Sequence, residues 1–156
     1  MIELRDEPSA GPASRALFEQ YMALVRERSG IGDFAPDERI FATEDAFAAD
    51  DAAWLVAYLD AQWVGCGGLR TLAPGIGEIK RMFVTAPARG RGIGRCLLRA
   101  LEARAVAAGH THVRLLTTPM LREACALYRA EGYAQTSRAQ EGEDEPVEIW
   151  LQKALG

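Results

Sequence analysis

The segment of residues 80–101, KRMFVTAPARGRGIGRCLLRAL, constrains the fold of this chain more than any other. An apolar run leads into three closely spaced glycines, Gly90, Gly92 and Gly94, and a leucine-rich run follows them. The first run alternates as a strand does, and the later leucines recur at helical spacing. The segment therefore predicts a strand, a glycine-rich loop and a helix. Such a junction attracts anions, because the free N–H groups at the helix start and the helix dipole both favour negative charge.

The spacing of the glycines excludes two common nucleotide-binding loops. A Walker A loop needs Gly-x-x-x-x-Gly-Lys-Ser/Thr, and no Lys-Ser or Lys-Thr pair follows these glycines. A dinucleotide loop needs Gly-x-Gly-x-x-Gly, but the third glycine position is Arg95 in one register and Leu97 in the other. The loop is therefore not typical of a nucleotide triphosphatase or of a dinucleotide-binding enzyme.

The pattern Arg89-x-x-Gly92-x-Gly94 resembles the Gln/Arg-x-x-Gly-x-Gly/Ala loop of the GNAT family of N-acetyltransferases, which wraps the pyrophosphate of coenzyme A. Residues 78–102 resemble the central strand, loop and helix of that family. The run EACALYRAEGY, residues 123–133, resembles its later helix, with a tyrosine and a following Gly-aromatic pair. The resemblance covers nearly the whole chain. It implies a cytoplasmic, bacterial-type enzyme that uses acetyl-CoA.

The resemblance also implies how the cofactor is held. The amides of residues 90–95 would cradle the pyrophosphate, and the loop arginines would add charge, since guanidinium groups match phosphate geometry. The end of the preceding strand would pair through its backbone with the pantetheine arm and donate an amide to the thioester carbonyl. The implied cofactor-binding residues are Met82, Phe83, Val84, Arg89, Gly90, Arg91, Gly92, Ile93, Gly94 and Arg95.

Tyr128 aligns with the tyrosine that often acts as general acid in the family. A free tyrosine has a pKa of about 10, so its hydroxyl carries a proton at neutral pH. The residues alone also allow a structural role, because Leu121, Cys125 and Tyr128 belong to an apolar helix stripe, and aromatic residues on such stripes often lie in the core. Both interpretations of Tyr128 follow from the sequence.

Glu78 is the candidate general base. Some members of the family place a glutamate shortly before the centre of this strand, where it acts through water. The residues alone equally allow a strand-end carboxylate paired with Arg81 or Lys80. Two positions depart from relatives: Leu116 replaces a base found in some peptide N-terminal acetyltransferases, and Leu121 replaces an asparagine that contacts the pantetheine arm. Both departures argue against acetylation of the ribosomal-protein type.

The remaining patterns predict the order of elements β-α-(α)-β-β-β-α-β-α-β-β. Helices are expected at residues 12–28, 93–108 and 120–131, with a short one at 44–49. Strands are expected at residues 2–5, 54–60, 62–72, 76–84, 113–117, 133–137 and 146–153, with an acidic turn at 141–145. This order predicts an α/β fold with a mixed, largely antiparallel central sheet and helices on both faces. Residues 1–156 are expected to form a single N-acetyltransferase domain.

Composition restricts the partners. The net charge of −4 argues against general nucleic-acid binding. No apolar run approaches the roughly 20 residues of a membrane-spanning helix, and the N-terminus lacks the pattern of a secretory signal. The three cysteines form no CxxC pair, which favours reduced thiols. His110 and His112 have no third ligand nearby, so no metal is expected.

The sequence thus favours an acetyl-CoA-dependent N-acetyltransferase that moves the acetyl group directly to a primary amine. The acceptor would be a small molecule or an exposed peptide, and the acidic balance favours a cationic one. Homodimer formation is left open. The alternative is a catalytically silent acyl-CoA-binding sensor or interaction module, which would keep the loop but need neither Glu78 nor Tyr128.

Overall fold

The computed structural model describes residues 1–29, 47–139 and 148–156 of the chain. Within these residues, the strands are β1 (Ile2–Asp6), β2 (Ala53–Leu59), β3 (Gln62–Ala73), β4 (Ile76–Val84), β5 (His112–Thr117), β6 (Ala134–Ala139) and β7 (Glu148–Ala154). The α-helices are α1 (Pro12–Ser29), α2 (Ile93–Ala107) and α3 (Arg122–Ala130). Each lies within a few residues of its predicted position. Residues 44–46, half of the predicted short helix at 44–49, lie outside the described residues, and the acidic turn at 141–145 lies wholly outside them.

The strands form one sheet in the order β1-β2-β3-β4-β5-β7-β6. The neighbours β4 and β5 run parallel, and every other neighbouring pair is antiparallel. Asp60 and Ala61 join β2 to β3 with φ values of 50° and 66°, the left-handed geometry of a tight hairpin turn. The predicted strands at 54–60 and 62–72 therefore form a hairpin, and the predicted largely antiparallel sheet is confirmed.

Helices cover both faces of the sheet, as predicted. On one face, α2 packs on strands β2 to β5 and fully buries Leu97, Leu98 and Leu101. Burial of such side chains stabilises the fold by about 1.5–3 kcal/mol each. On the other face, α1 packs on β3 and β4 and buries Leu17 in a cluster with Trp54. None of the described helices is long and apolar enough to cross a membrane.

Strands β4 and β5 separate part of the way along the sheet. Their pairing begins with Ile76 opposite His112 and ends with Ile79 opposite Leu115. Beyond that point β4 continues beside β3 alone, and β5 continues beside β7 alone. A gap therefore opens in the middle of the sheet, and one backbone edge of β4 faces it.

A bulge in β4 lies next to this gap. Lys80 pairs with Gly68 and Phe83 with Cys66, so β4 carries one more residue than β3 in this interval. The bulge residue Arg81 has φ of 55°, a left-handed conformation that costs a non-glycine residue about 1–2 kcal/mol. Its guanidinium lies within 5.5–6.0 Å of the ring centres of Phe18, Phe47 and Trp54. These contacts with the α1 face help to hold the bulge.

Candidate functional site

A cavity of about 430 Å³ lies between the end of β4, the glycine-rich loop, α1 and α3. The structure brings together at this cavity all of the predicted cofactor-binding residues except Arg91, and also Tyr128. Glu78 does not line it. The lining residues that the sequence did not predict as functional are Tyr21, Leu24, Ala88, Leu121, Glu123, Ala124 and Leu127.

The loop has a backbone suited to an anion. Gly90 and Gly92 have φ values of 81° and 78°, which L side chains rarely adopt, and a Cβ on either would meet nothing within 4 Å. Gly92 caps α2, whose first N–H groups have no intrahelical acceptor. Gly94 has a packing role instead, since a Cβ added at this position would lie 3.0 Å from Cδ2 of Leu127. The loop thus leaves its amides free beside the cavity.

The arginines around the loop differ in their contacts. The Nε of Arg89 donates to the carbonyl of Val84 at 3.2 Å, and its guanidinium lies 5.9 Å from the centre of the Phe83 ring. Arg95 lies 2.6 Å from the carboxylate of Glu131. A hydrogen bond from Arg99, reinforced by the Arg95 guanidinium, holds the pKa of Glu131 below its usual range. Arg89 and Arg95 both line the cavity, with the charge of Arg95 paired to Glu131, whereas the exposed Arg91 lies outside it.

The end of β4 supplies the wall between the loop and the gap. Met82, Phe83 and Val84 all line the cavity, beyond the last residue of β4 that pairs with β5. An unpaired strand edge can hydrogen-bond an extended ligand through its backbone. The wall thus offers main-chain groups, while the side chain of Phe83 packs into the core on the α1 face.

Tyr128 is both a core residue and a cavity residue. Its side chain is 5% exposed, and its ring packs edge-on against Tyr133 with centres 5.9 Å apart. Burial disfavours the phenolate and raises the pKa of Tyr128, and Tyr21 and Cys125 raise it further. The hydroxyl keeps its proton well above neutral pH, so it can donate that proton to a group in the cavity.

Glu78 lies in an ion-pair cluster on β4. It is 3% exposed, and its Oε1 lies 3.0 Å from Nη2 of Arg70 and 3.5 Å from Nζ of Lys80. The pairing with Lys80 was one of the alternatives expected, whereas Arg70, its partner across β3 and β4, was not. Its role as a base stays a prediction, and only intervening water could connect its carboxylate with the cavity.

The sequence did not predict that α1 and α3 form a helical wall of the cavity. Tyr21 and Leu24 of α1 both line the cavity, where Tyr21 meets the Phe83 ring edge-on at 5.9 Å. On α3, Glu123 also lines the cavity, and a hydrogen bond from Arg28 lowers its pKa to about 2. No local signal separates Tyr21 and Leu24 from core residues, because cavity and core positions on α1 are apolar and share one helical face.

The two histidines considered as metal ligands lie apart from the cavity. The Nε2 of His110 is 3.2 Å from the Thr71 hydroxyl, and the Nδ1 of His112 is 2.9 Å from the Thr111 hydroxyl. In residues 1–29, 47–139 and 148–156, no three His, Cys, Asp or Glu side chains form a group that could hold a metal ion.

Comparisons with known proteins identify sequences similar to this chain. The sequence model of the acetyltransferase (GNAT) family matches residues 15–133. The chain is 35% identical over 127 residues to a protein named IAA acetyltransferase from Azospirillum brasilense, covering 80% of this chain and 83% of that protein.

Solved structures share the fold at lower identity. An acetyltransferase of the GNAT family from Staphylococcus aureus Mu50 superposes with a TM-score of 0.80 at 18% identity, covering all of both chains. The protein yncA from Salmonella typhimurium, solved with its cofactor acetyl-CoA, gives a TM-score of 0.77 at 17% identity. It covers 100% of this chain and 95% of its own. These similarities establish the fold.

Proposed function

Because the chain belongs to the acetyltransferase (GNAT) family and is an N-acetyltransferase that uses acetyl-CoA, we propose that it transfers the acetyl group directly to a primary amine. The amine would belong to a small molecule or to an exposed peptide. One observation carries this proposal: residues of the glycine-rich loop, the end of β4 beyond its pairing with β5, and Tyr128 line one cavity. Direct transfer requires such a convergence, since both reactants must be held together.

The residues around the cavity fit acetyl-CoA, which supplies an acetyl group activated as a thioester. The open Cβ positions of Gly90 and Gly92 leave room for a pyrophosphate against the loop backbone. Arg89 and Arg95 add guanidinium charge at the same place. The edge of β4 at residues 82–84 would hold the pantetheine arm through its backbone.

The reaction needs a donor for the carbonyl oxygen and a proton for the departing sulfur. A backbone amide within residues 82–84 would donate to the oxygen, as a fixed dipole that needs no reorganisation. Tyr128 would give its proton to the thiolate, because its raised pKa keeps the hydroxyl protonated at working pH. This second role draws support from the position of Tyr128 on the cavity wall rather than only in the core.

An ammonium acceptor must lose a proton before it attacks. We propose Glu78 for this step, acting through water, because it is a buried carboxylate on the strand that forms the cavity wall. Its contacts with Arg70 and Lys80 make a purely structural role the competing interpretation. The pH dependence of a Glu78 variant separates the two.

Surroundings and partners are part of the proposal. Cys66, Cys96 and Cys125 are free thiols in the structure, as expected in a reducing cytoplasm. The net charge of −4 supports a chain without nucleic-acid partners. We expect one acetyltransferase domain over residues 1–156, and the molar mass in solution would show whether it forms a homodimer.

An acceptor panel tests the proposed function. The purified protein is mixed with acetyl-CoA and with single acceptors: IAA, which the name of the curated relative suggests, small mono- and diamines, and a peptide with a free N-terminus. Free thiol release is followed, and products are weighed by mass spectrometry. We expect amine-dependent release above background hydrolysis and a product heavier by one acetyl group on nitrogen. Tight acetyl-CoA binding without release for any acceptor would instead indicate the silent sensor.

A further inference from the structure

Arg28, near the end of α1, makes several hydrogen bonds with the start of α3. Its Nη1 donates to Oε2 of Glu123 at 2.5 Å, and its Nη2 donates to Oε1 of the same carboxylate at 2.8 Å. The Nη1 also donates to the carbonyl of Met120 at 3.1 Å. One guanidinium thus binds both a side chain and a backbone carbonyl at the start of α3.

These contacts join the two helical walls of the cavity. On α1, Tyr21, Leu24 and Arg28 follow each other at i, i+3 and i+7, so they lie on one face of the helix. The first two line the cavity, and Arg28 continues the same stripe. On α3, Glu123 lines the cavity and lies just over one turn before Tyr128.

The two walls are anchored on different sides of the sheet. Helix α1 buries Leu17 in the cluster that contains Phe83, whereas α3 buries Tyr128 in the cluster of α2 on the opposite face. The distance between the walls therefore depends on contacts that cross the cavity. Misplacement of a reacting group by about 1 Å can cost a factor of about 10² in rate.

We propose that Arg28 is a positioning residue, which fixes the start of α3 through Glu123 and the Met120 carbonyl and so sets where the Tyr128 hydroxyl lies relative to the α1 wall. This inference rests on the proposed function. The side chain of Glu123 is 57% exposed and that of Arg28 is 17% exposed, so solvent screens the ion pair on one side, and we expect its loss to affect turnover more than folding.

The chain contains a matched control pair. Arg104 of α2 binds Asp6 of β1 with the same two-point geometry, at 2.9 and 2.7 Å. The partners are 98 residues apart, against 95 for Arg28 and Glu123. Neither Arg104 nor Asp6 lines the cavity. The side chain of Arg104 is 46% exposed, against 17% for Arg28, so effects shared by both pairs report the loss of an ion pair. A loss of turnover that is confined to Arg28 and Glu123 and leaves the thermal midpoint unchanged reports position.

The experiment compares single and charge-reversed double variants of both pairs. Turnover is measured with acetyl-CoA and hydroxylamine, a small nucleophile largely unprotonated at pH 7, and acetyl-CoA affinity and thermal midpoint are measured alongside. We expect Arg28→Glu and Glu123→Arg each to lower turnover about threefold to tenfold, a range typical of coupled contacts, with acetyl-CoA affinity within about twofold. The double variant recovers part of the loss, because it restores the ion pair but a carboxylate at position 28 cannot donate to the Met120 carbonyl. We expect the corresponding single and double variants of Arg104 and Asp6 to have unchanged turnover.

A second readout needs no acceptor. Amide hydrogen exchange in residues 122–130 speeds up in Arg28→Glu and returns towards the wild-type rate in the double variant, while exchange in residues 90–95 is unaltered. Wild-type turnover in Arg28→Glu together with unaltered exchange in α3 overturns the inference. So does a double variant that recovers neither property. A wild-type protein that binds acetyl-CoA but transfers to no amine overturns the proposed function, and exchange alone then decides whether Arg28 positions α3.

Discussion

The two halves of the cavity are built in different ways. The loop half, residues 82–95, is one continuous segment that offers mainly backbone groups at the end of β4 and the start of α2. The helix half combines residues 21–28 of α1 with residues 120–128 of α3 and offers mainly side chains. The first half is a local structure that a short sequence can specify. The second exists only when two helices far apart in the chain pack near each other.

This difference predicts that the two halves of the cavity govern different properties of the enzyme. Backbone groups at a helix start recognise a phosphate whatever the rest of the molecule does, so the loop half should govern affinity for acetyl-CoA. Side chains placed by distant helices should govern the rate of transfer. Variants that separate affinity from turnover therefore test the comparison.

The largest expected effect lies in the helix half. Tyr128→Phe should lower turnover by a factor of about 10²–10⁴, the usual contribution of a general acid, while acetyl-CoA affinity stays near wild type. Because burial raises the pKa of Tyr128, its proton is retained at alkaline pH, so the alkaline limb of the rate profile should keep its position. Turnover across pH and calorimetric titration measure both properties.

Tyr133→Phe is the matched control for this variant. Tyr133 is also buried, packs against Tyr128 and lies outside the cavity lining, and its hydroxyl donates to Glu102 at 2.9 Å. Its loss should lower the thermal midpoint but leave turnover within about twofold, because it removes one structural hydrogen bond. Equal losses of turnover in the two variants would show that Tyr128 acts only through packing.

The next effect lies in the loop half. Gly92→Ala and Gly109→Ala change opposite ends of α2, at φ values of 78° and 87° and with no atom within 4 Å of either new Cβ. Both should lose about 1–2 kcal/mol of stability from the left-handed backbone. Only Gly92→Ala should also weaken acetyl-CoA binding, by about tenfold or more, since misdirected amides lose charge-assisted hydrogen bonds. Equal affinity in the two variants would remove the loop from the binding site.

Glu78→Gln should have a smaller effect, because its carboxylate lies outside the cavity. We expect the rate to fall about threefold to tenfold at pH 7, less than for a base in direct contact. This loss of rate should shrink as the pH rises towards the amine pKa of about 10, because more of the acceptor is then free amine that needs no base. A loss that is constant with pH and accompanies a lower thermal midpoint would indicate that Glu78 only binds Arg70 and Lys80.

The smallest effect concerns Arg91, which is exposed and outside the cavity. Arg91→Gln should weaken acetyl-CoA binding about twofold at low salt and not measurably at 1 M salt, where screening acts over roughly 3 Å. Titration at two ionic strengths measures this. A loss that persists at high salt would mean that Arg91 contacts the phosphates directly.

Features formed within one continuous segment of the chain agree with the predictions from the sequence. The bounds of β4, Ile76–Val84, agree with the predicted strand, and Gly109 and Gly132 end their helices with positive φ as their positions suggested. These features depend on alternation and on glycine, which are local. The order of elements and the glycine-rich loop between β4 and α2 could therefore be predicted without the structure.

Features set by strand register or by packing could not be predicted from the sequence. The contact between Glu78 and Arg70 depends on the pairing of β3 with β4, and the bulge at Arg81 shifts that pairing by one residue. Tyr21 and Leu24 have the periodicity of core residues, and only the gap between β4 and β5 turns that face into a cavity wall. The link from Arg28 to Glu123 spans 95 residues and leaves no local pattern.

Amide hydrogen exchange with and without acetyl-CoA tests most directly where the cofactor binds, and it needs no variant. The account predicts slower exchange at residues 90–95 and at residues 82–84, with no change around Gly109 at the far end of α2. Protection confined to other parts of the chain, or none in residues 82–95 at saturating acetyl-CoA, would contradict it.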